Sequence, residues 1–372
     1  TEVPTMNKRL SAAVAATLLL SHAGSVLAIE NIDINGFFTV GATVSDSSVD
    51  TQDGNITDDV GFEEDTRVGL QVSADINSKI SATAQILGDN RKNQSFDAEF
   101  DWAFVSYAFN DQASLRGGKI KLPTFLISDY FEVGYAYPWI RPPAEVYSSN
   151  PINAITGVEA LVRANLGATD LLVQPYFGVS RGEEALLPQE VLPPSEQGNA
   201  VYANFEADNM AGVNVALSSE FFTIRAGYLQ TEVSAPDVGV SDSEDVTFWS
   251  AGATMDWHNV IAYSEYFQRE IDGLANLAFP NQKGWYATLG YRFDRILPHV
   301  TYAQLRDDNS SSDLGTGLEQ DSITLGLRYE LGSAAALKLE AQRVEPEGDS
   351  RGLLMEPTDD VNIYSIAVDV IF

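Results

Sequence analysis

From Ile32 to Phe372 the chain keeps returning to one unit: about ten residues of alternating apolar and polar side chains, a short turn, a second such stretch, then a longer polar connection. Period-two alternation sends successive side chains to opposite faces of a strand, so every stretch offers one apolar face and one polar face. Ile32, Ile34, Phe38, Val40, Ala42 and Val44 share a face in the first; Val68, Leu70, Val72 and Ala74 do so in the second. The pattern is less clean over 102–109 and 114–119, and again from Val260 to Arg269. The final stretch puts Tyr364, Ile366, Val368, Val370 and Phe372 on one side. Sixteen strands, seven short turns and eight long loops are expected, and an even count brings both ends of a closed sheet to the same side. The predicted fold class is all-β, an antiparallel up-and-down barrel.

The amino end carries a different signal. Lys8 and Arg9 precede an apolar run from Ala12 to Leu20, and small residues lead to Val26-Leu27-Ala28. These are the three parts of a secretory leader, with cleavage expected after Ala28; residues 1–5 read as an extension ahead of a start at Met6. Residues 29–372 then form one domain. Of the chain's 22 basic and 53 acidic residues, the leader and its extension hold Lys8, Arg9 and Glu2, which leaves a net charge of −32. Nucleic acid and anionic lipid surfaces are poor partners for such a chain. It has no cysteine, so neither disulfides nor thiolate metal sites are available.

Beyond the leader no apolar stretch nears the roughly 20 residues of a spanning helix. A barrel crosses a bilayer without one, because its strands alternate between lipid and lumen. Trp, Tyr and Phe near strand ends fit the aromatic girdles of a transmembrane barrel, and no blade-like repeat supports a propeller. The terminal aromatic strand resembles the closing strand of bacterial outer-membrane barrels, in which that residue, here Phe372 with Tyr364 on the same face, belongs to the signal read by the assembly machinery.

The longest break in the alternation runs from Lys121 to Gly157. Prolines 123, 138, 142, 143 and 151 deny a sheet its donors, while Phe125, Tyr130, Phe131, Tyr135, Tyr137, Trp139 and Tyr147 require something to pack on. A segment of this kind is expected to fold inward. As the third long loop, it resembles the constriction loop of the general porins of Gram-negative bacteria, and Arg141-Pro142-Pro143 with its aromatic neighbours is similar to a segment of porin-like proteins. The resemblance implies a 16-stranded barrel, a pore narrowed by residues 121–157 and a homotrimer. It also implies outer-membrane lipid and lipopolysaccharide around the barrel, and small hydrophilic solutes passing through it.

If the apolar faces meet lipid, Arg67, Arg116, Arg163, Arg225, Arg292, Arg328 and Lys338 point into the lumen, among acids that include Glu159, Glu330, Glu340, Asp256 and Asp369. The porin resemblance implies a basic wall facing loop acids, here Asp129, Glu132 and Glu145, with Arg67, Arg116 and Arg163 the first candidates; Arg141 either shares that field or anchors the loop. The first loop gathers Asp46, Asp50, Asp53, Asp58, Asp59, Glu63, Glu64 and Asp65. Its Asp50-Thr51-Gln52-Asp53-Gly54 run starts like a calcium loop but lacks the closing Glu, so the expectation is a solvated acidic loop, with loosely bound Ca²⁺ or Mg²⁺ bridging to lipopolysaccharide phosphates.

No cofactor is expected. His258 and His299 lie far apart in sequence, near turns, and offer no nucleophile–base pair, so no enzyme is expected. The leading reading is passive diffusion of small hydrophilic solutes and ions with a preference for cations. Two others stand beside it: a solute-specific channel whose loop aromatics stack on the solute, and a non-channel surface barrel or adhesin.

Overall fold

A computed structural model describes residues 31–372 except 52–55, 91–95, 188, 190–191, 194, 197–200, 237–239, 274–275, 277–279 and 308–317. The expected leader, residues 1–28, lies outside the described residues, as does Asp53. The strands are β1 (Asn31–Ser45), β2 (Arg67–Asn77), β3 (Ile80–Asp89), β4 (Asp97–Asn110), β5 (Ala113–Lys121), β6 (Ala154–Asn165), β7 (Asp170–Leu186) and β8 (Tyr202–Ser218). They continue with β9 (Phe222–Ala235), β10 (Val240–Trp257), β11 (Val260–Ile271), β12 (Gln282–Tyr291), β13 (Ile296–Asp307), β14 (Gln320–Glu330), β15 (Ala335–Pro346) and β16 (Val361–Ile371). Each pairs antiparallel with its sequence neighbours, and β16 closes the barrel on β1.

The terminal aromatic residue extends the seam. Phe372 exchanges backbone hydrogen bonds with Gly36, and a Cβ on Gly36 would lie 2.3 Å from the Phe372 ring. Glycine is therefore the residue that lets the ring lie flat across β1 at the seam.

The outward faces are apolar and carry two aromatic rows. Trp249 and Trp257, Trp285 and Phe293, and Tyr364 and Phe372 are pairs eight positions apart on one face, all exposed. Eight residues span ~27 Å of strand, which at barrel tilt gives roughly the height of an apolar band between girdles. Neighbouring girdle rings touch, Trp249 with Tyr266 at 4.9 Å and Trp285 with Tyr302 at 5.5 Å between centroids.

Three details depart from the sequence reading. The inward loop is shorter than 121–157: Lys121 ends β5, and residues 154–157 already belong to β6. The fifth of the eight expected long loops is short, since β9 runs to Ala235 and β10 begins at Val240. The irregular fourth and fifth strands have a structural cause. In β4 the register shifts so that Gln85 faces Trp102 while Ile86 faces Phe100, leaving Asp101 as the extra residue of a bulge. On the other side of β4, Gly118 of β5, paired with Phe104, adopts φ +139°, and a Cβ there would sit 2.3 Å from the Ala103 carbonyl oxygen. The paired distortions re-aim Asp101, Lys119 and Lys121.

Candidate pore constriction

Between β5 and β6, residues 122–153 fold into the barrel as two short 3-10 turns (Ser128–Tyr130 and Gly134–Ala136) and one helical turn, α1 (Ala144–Tyr147). The prolines leave this segment unable to extend the sheet, and its aromatic residues find their packing inside the cylinder. Phe125, Ile127, Tyr137, Trp139, Val146 and Tyr147 are buried in one cluster with inward residues of β8–β13, among them Phe205, Met210, Phe248, Phe267 and Tyr286. One side of the lumen is thus a dry core. Trp139 sits at its centre, packed edge-on to Tyr263 and Tyr286, and its Nε1 donates to Thr288 (3.1 Å) and Thr301 (2.9 Å).

Wall side chains bind the loop backbone along its length. Arg67 donates from Nε to the Glu132 carbonyl (3.0 Å) and from Nη2 to the Tyr137 hydroxyl (2.8 Å). Arg225 reaches the Asp129 carboxylate at 3.1 Å and the Leu126 carbonyl at 3.3 Å. Arg328 donates to the carbonyls of Tyr135 (2.6 Å) and Tyr137 (2.9 Å), and Lys338 to those of Gly134 (2.6 Å) and Trp139 (2.5 Å) while pairing with Asp369 at 2.8 Å. Wall acids accept in turn: Glu340 from the Ile140 amide (2.9 Å), Glu265 from the Leu126 amide (2.7 Å) and the Tyr147 hydroxyl (2.8 Å). Irregular backbone inside a barrel must find partners for its amides and carbonyls, and here charged side chains supply them.

This corrects the sequence reading of the basic residues. Arg67, Arg225, Arg328 and Lys338 do not face the loop across water; they hold it. Arg116 pairs with Glu159 at 3.0 Å and lies over the Phe104 ring, so its charge is compensated. Arg163 is exposed near the turn-side end of β6, and Arg292 lies just past β12, forked onto Asp256 at 3.1 and 2.9 Å; both are away from the loop. Of the loop acids, Asp129 is half-exposed beside Arg225, Glu132 is buried 3.7 Å from Lys121, and Glu145 is fully buried and faces no water. Arg141 binds Asp65 at 2.5 Å, the Thr43 hydroxyl at 3.0 Å and the Ser365 hydroxyl at 2.6 Å, tying the loop to the first loop and the β1–β16 seam. Asp50 accepts from the Ile56 amide, Asp46 from Asn362 and Glu63 from the Phe62 amide, so with Asp65 at least four of the first-loop carboxylates serve the protein itself. The loop aromatics Tyr137, Trp139 and Tyr147 are enclosed and offer no stacking face to a solute.

Sequence reasoning passed over Asp101, Lys121, Glu265, Tyr286 and Gln320. For the apolar part there was a signal: the adjacent pairs Phe248-Trp249, Tyr266-Phe267 and Trp285-Tyr286 place aromatic residues on both faces where simple alternation demands a polar one.

Most inward side chains of β11–β16 are buried, whereas Gln71, Ser73, Thr83, Ser106 and Arg116 on β2–β5 are half-exposed. The aqueous side of the lumen therefore runs along β2–β5. At loop height it meets a charged cluster, Lys121 bound to Asp101 at 2.7 Å and near Glu132, with Arg67 against the loop. On the long-loop side of this cluster lies a vestibule of ≈ 570 Å³. Eight acidic residues line it against five basic ones, and its exposed acids Glu99 and Glu184 make its potential negative.

Glu145 supplies a pH test. Burial raises its carboxyl above the ordinary 4.5, and its Oε1 accepts from Gln320 at 2.7 Å. A carboxyl raised by folding contributes stability that is complete below the unfolded value and disappears as pH climbs through the folded one. Thermal unfolding followed from pH 4 upward should show the native barrel losing stability above about pH 4.5 by a component that Glu145→Gln lacks. Equal slopes for the two proteins would refute this role for Glu145.

Residues 192–349 match the family model described as Gram-negative porin. No curated protein matches the chain. Among solved structures, the barrel is similar to an anion-selective porin from Comamonas acidovorans, with TM-score 0.62, 13% identity, and 92% of this chain and 99% of that one covered. It is similar also to the trimer form of OmpT, an outer membrane protein of Vibrio cholerae (0.58, 13%, 92% and 99%). A third likeness is to OmpF of Salmonella typhi in complex with daunomycin (0.58, 13%, 92% and 97%). At these identities the likeness is one of fold.

Proposed function

We propose that the chain is a Gram-negative porin, since residues 192–349 match that family's model and the whole barrel shares the porin fold, and that its cation-preferring pore runs between the inward loop and the β2–β5 wall. As a porin it is a water-filled passive-diffusion channel of the outer membrane. The observation that carries the selectivity is the lining of the vestibule, where acids outnumber bases and where Arg141 and Arg181 are already paired with carboxylates. A negative mouth with low-dielectric walls concentrates cations and repels anions.

Arg116, whose charge Glu159 compensates, makes little difference to this field, and its removal leaves Glu159 with the neutral donor Gln174 and no cation. Under a salt gradient in a planar bilayer, the reversal potential should report cation preference. Glu99→Gln combined with Glu184→Gln should lower that preference, and Arg116→Ala should leave it equal or slightly higher. A wild-type protein that prefers anions overturns the proposal.

The active assembly in this reading is a homotrimer in outer-membrane lipid and lipopolysaccharide, delivered by the barrel assembly machinery through its Phe372 end. It works without a cofactor; any Ca²⁺ or Mg²⁺ is held loosely at the acidic loops. Catalysis forms no part of it: His258 sits in the β10–β11 turn with φ 55°, and His299 is buried beneath the loop.

A further inference from the structure

Four buried basic side chains inside this barrel have carboxylate partners: Lys121 has Asp101, Arg225 has Asp129, Arg328 has Glu330 and Lys338 has Asp369. Arg269, on the long-loop end of β11, differs. Its side chain is 8% exposed, and its bonds go to neutral oxygens: the carbonyls of Ser149 and Pro280 and the Gln282 side chain. The Asp307 carboxylate attracts it from beyond ion-pair distance, among the described residues no carboxylate forms an ion pair with it, and its buried Nε has no hydrogen-bond partner. A buried guanidinium left in this state is costly, and an anion beside it removes the cost.

Arg269 borders two spaces at once. One is the vestibule; the other is an apolar hollow lined by Phe205, Leu229, Val233, Val246, Phe248 and Ile271, with loop residues 150–152 as its floor. The space open to the centre of a water-sized group there is ≈ 50 Å³, several times what one water requires. Nearly all of the lining is hydrocarbon, and such voids stay dry and accept apolar groups. A lumen serving only hydrophilic solutes gains nothing from a dry slot that opens beside a buried cation with an unbonded donor.

We propose that this is a binding site for small amphipathic monocarboxylates, with an aryl or branched alkyl group in the hollow and the carboxylate accepting from Arg269 Nε. The site deepens the channel reading and rests on it for its physiological use: it gives a pore with a cation-preferring mouth a route by which one class of organic anion is retained and passed. Carboxylate–guanidinium bonds supply the charge recognition, and the fit of the hollow selects against hydrophilic anions.

The test uses the full barrel folded in detergent, titrated calorimetrically with benzoate, benzamide and acetate, and then single-channel recording with the same probes. Benzoate should bind saturably, and benzamide and acetate each roughly tenfold or more weaker. Arg269→Gln should weaken benzoate binding by a similar factor. Because that change also removes bonds to the loop, Val246→Phe, which fills the hollow and leaves Arg269 untouched, should abolish binding independently. Equal binding of benzoate and benzamide, or benzoate affinity unchanged in Val246→Phe, overturns the proposal, as does the absence of saturable binding. Calorimetric binding without channel steps would instead overturn the pore reading and leave the site standing.

Discussion

Replacing Lys338 with Met should release the inward loop and raise single-channel conductance severalfold, with noisy openings in place of steady ones. Lys338 is 1% exposed; it bonds two loop carbonyls and pairs with Asp369, which also accepts from the Thr39 hydroxyl at 2.6 Å. Met keeps the length and removes the charge, so in a buried site Asp369 loses its cation, the Trp139 carbonyl loses its donor, and the Gly134 carbonyl keeps only the Tyr137 amide at 3.4 Å. Breaking a buried pair from one side costs about 3–5 kcal/mol, and the orphaned Trp139 carbonyl adds to it. Adding Asp369→Asn should recover part of the lost thermal stability but not the loop position, because the bonds from Lys338 to the Gly134 and Trp139 carbonyls are still missing. Conductance in Lys338→Met indistinguishable from wild type would show that the loop does not depend on this anchor.

The second large effect is expected at Trp139. Truncation to Ala leaves a void ringed by Tyr137, Tyr263 and Tyr286 and strips Thr288 and Thr301 of their shared donor. Large-to-small changes of this type cost about 3–5 kcal/mol. Trp139→Phe should cost less, since it retains most of the ring packing. The unfolding midpoint of the barrel in detergent, measured for both variants, should fall in that order; equal midpoints for Trp139→Ala and wild type would mean that the lumen cluster contributes nothing to stability.

The contrast between what could and could not be read from the chain follows from the physics of a barrel. Alternation fixes which face a side chain occupies, so the sixteen strands, the seven short turns and the β16–β1 seam were all legible from Ile32 to Phe372. It says nothing about height, which depends on shear. Arg67, Arg163 and Arg328 all face inward by parity, yet Arg67 and Arg328 meet the loop, while Arg163 lies near a turn. Whether an inward cation meets water or a carbonyl depends on the path of residues 122–153, a non-local fact. The β4 bulge at Asp101 and the Gly118 kink were visible only as weak alternation. They are the features that bring Asp101 and Lys121 together at the constriction. The prolines and aromatic residues of the loop announced that it folds inward, but not that Tyr137, Trp139 and Tyr147 would be used up in packing.

The central claim is that this barrel is an open, water-filled pore whose narrowest point is held by a fixed loop. The most direct measurement is single-channel recording of the purified wild-type protein in a planar lipid bilayer. Discrete, long-lived conductance steps that scale with salt concentration are the predicted result; a protein that inserts into the bilayer and yields no ion-conducting steps would contradict it.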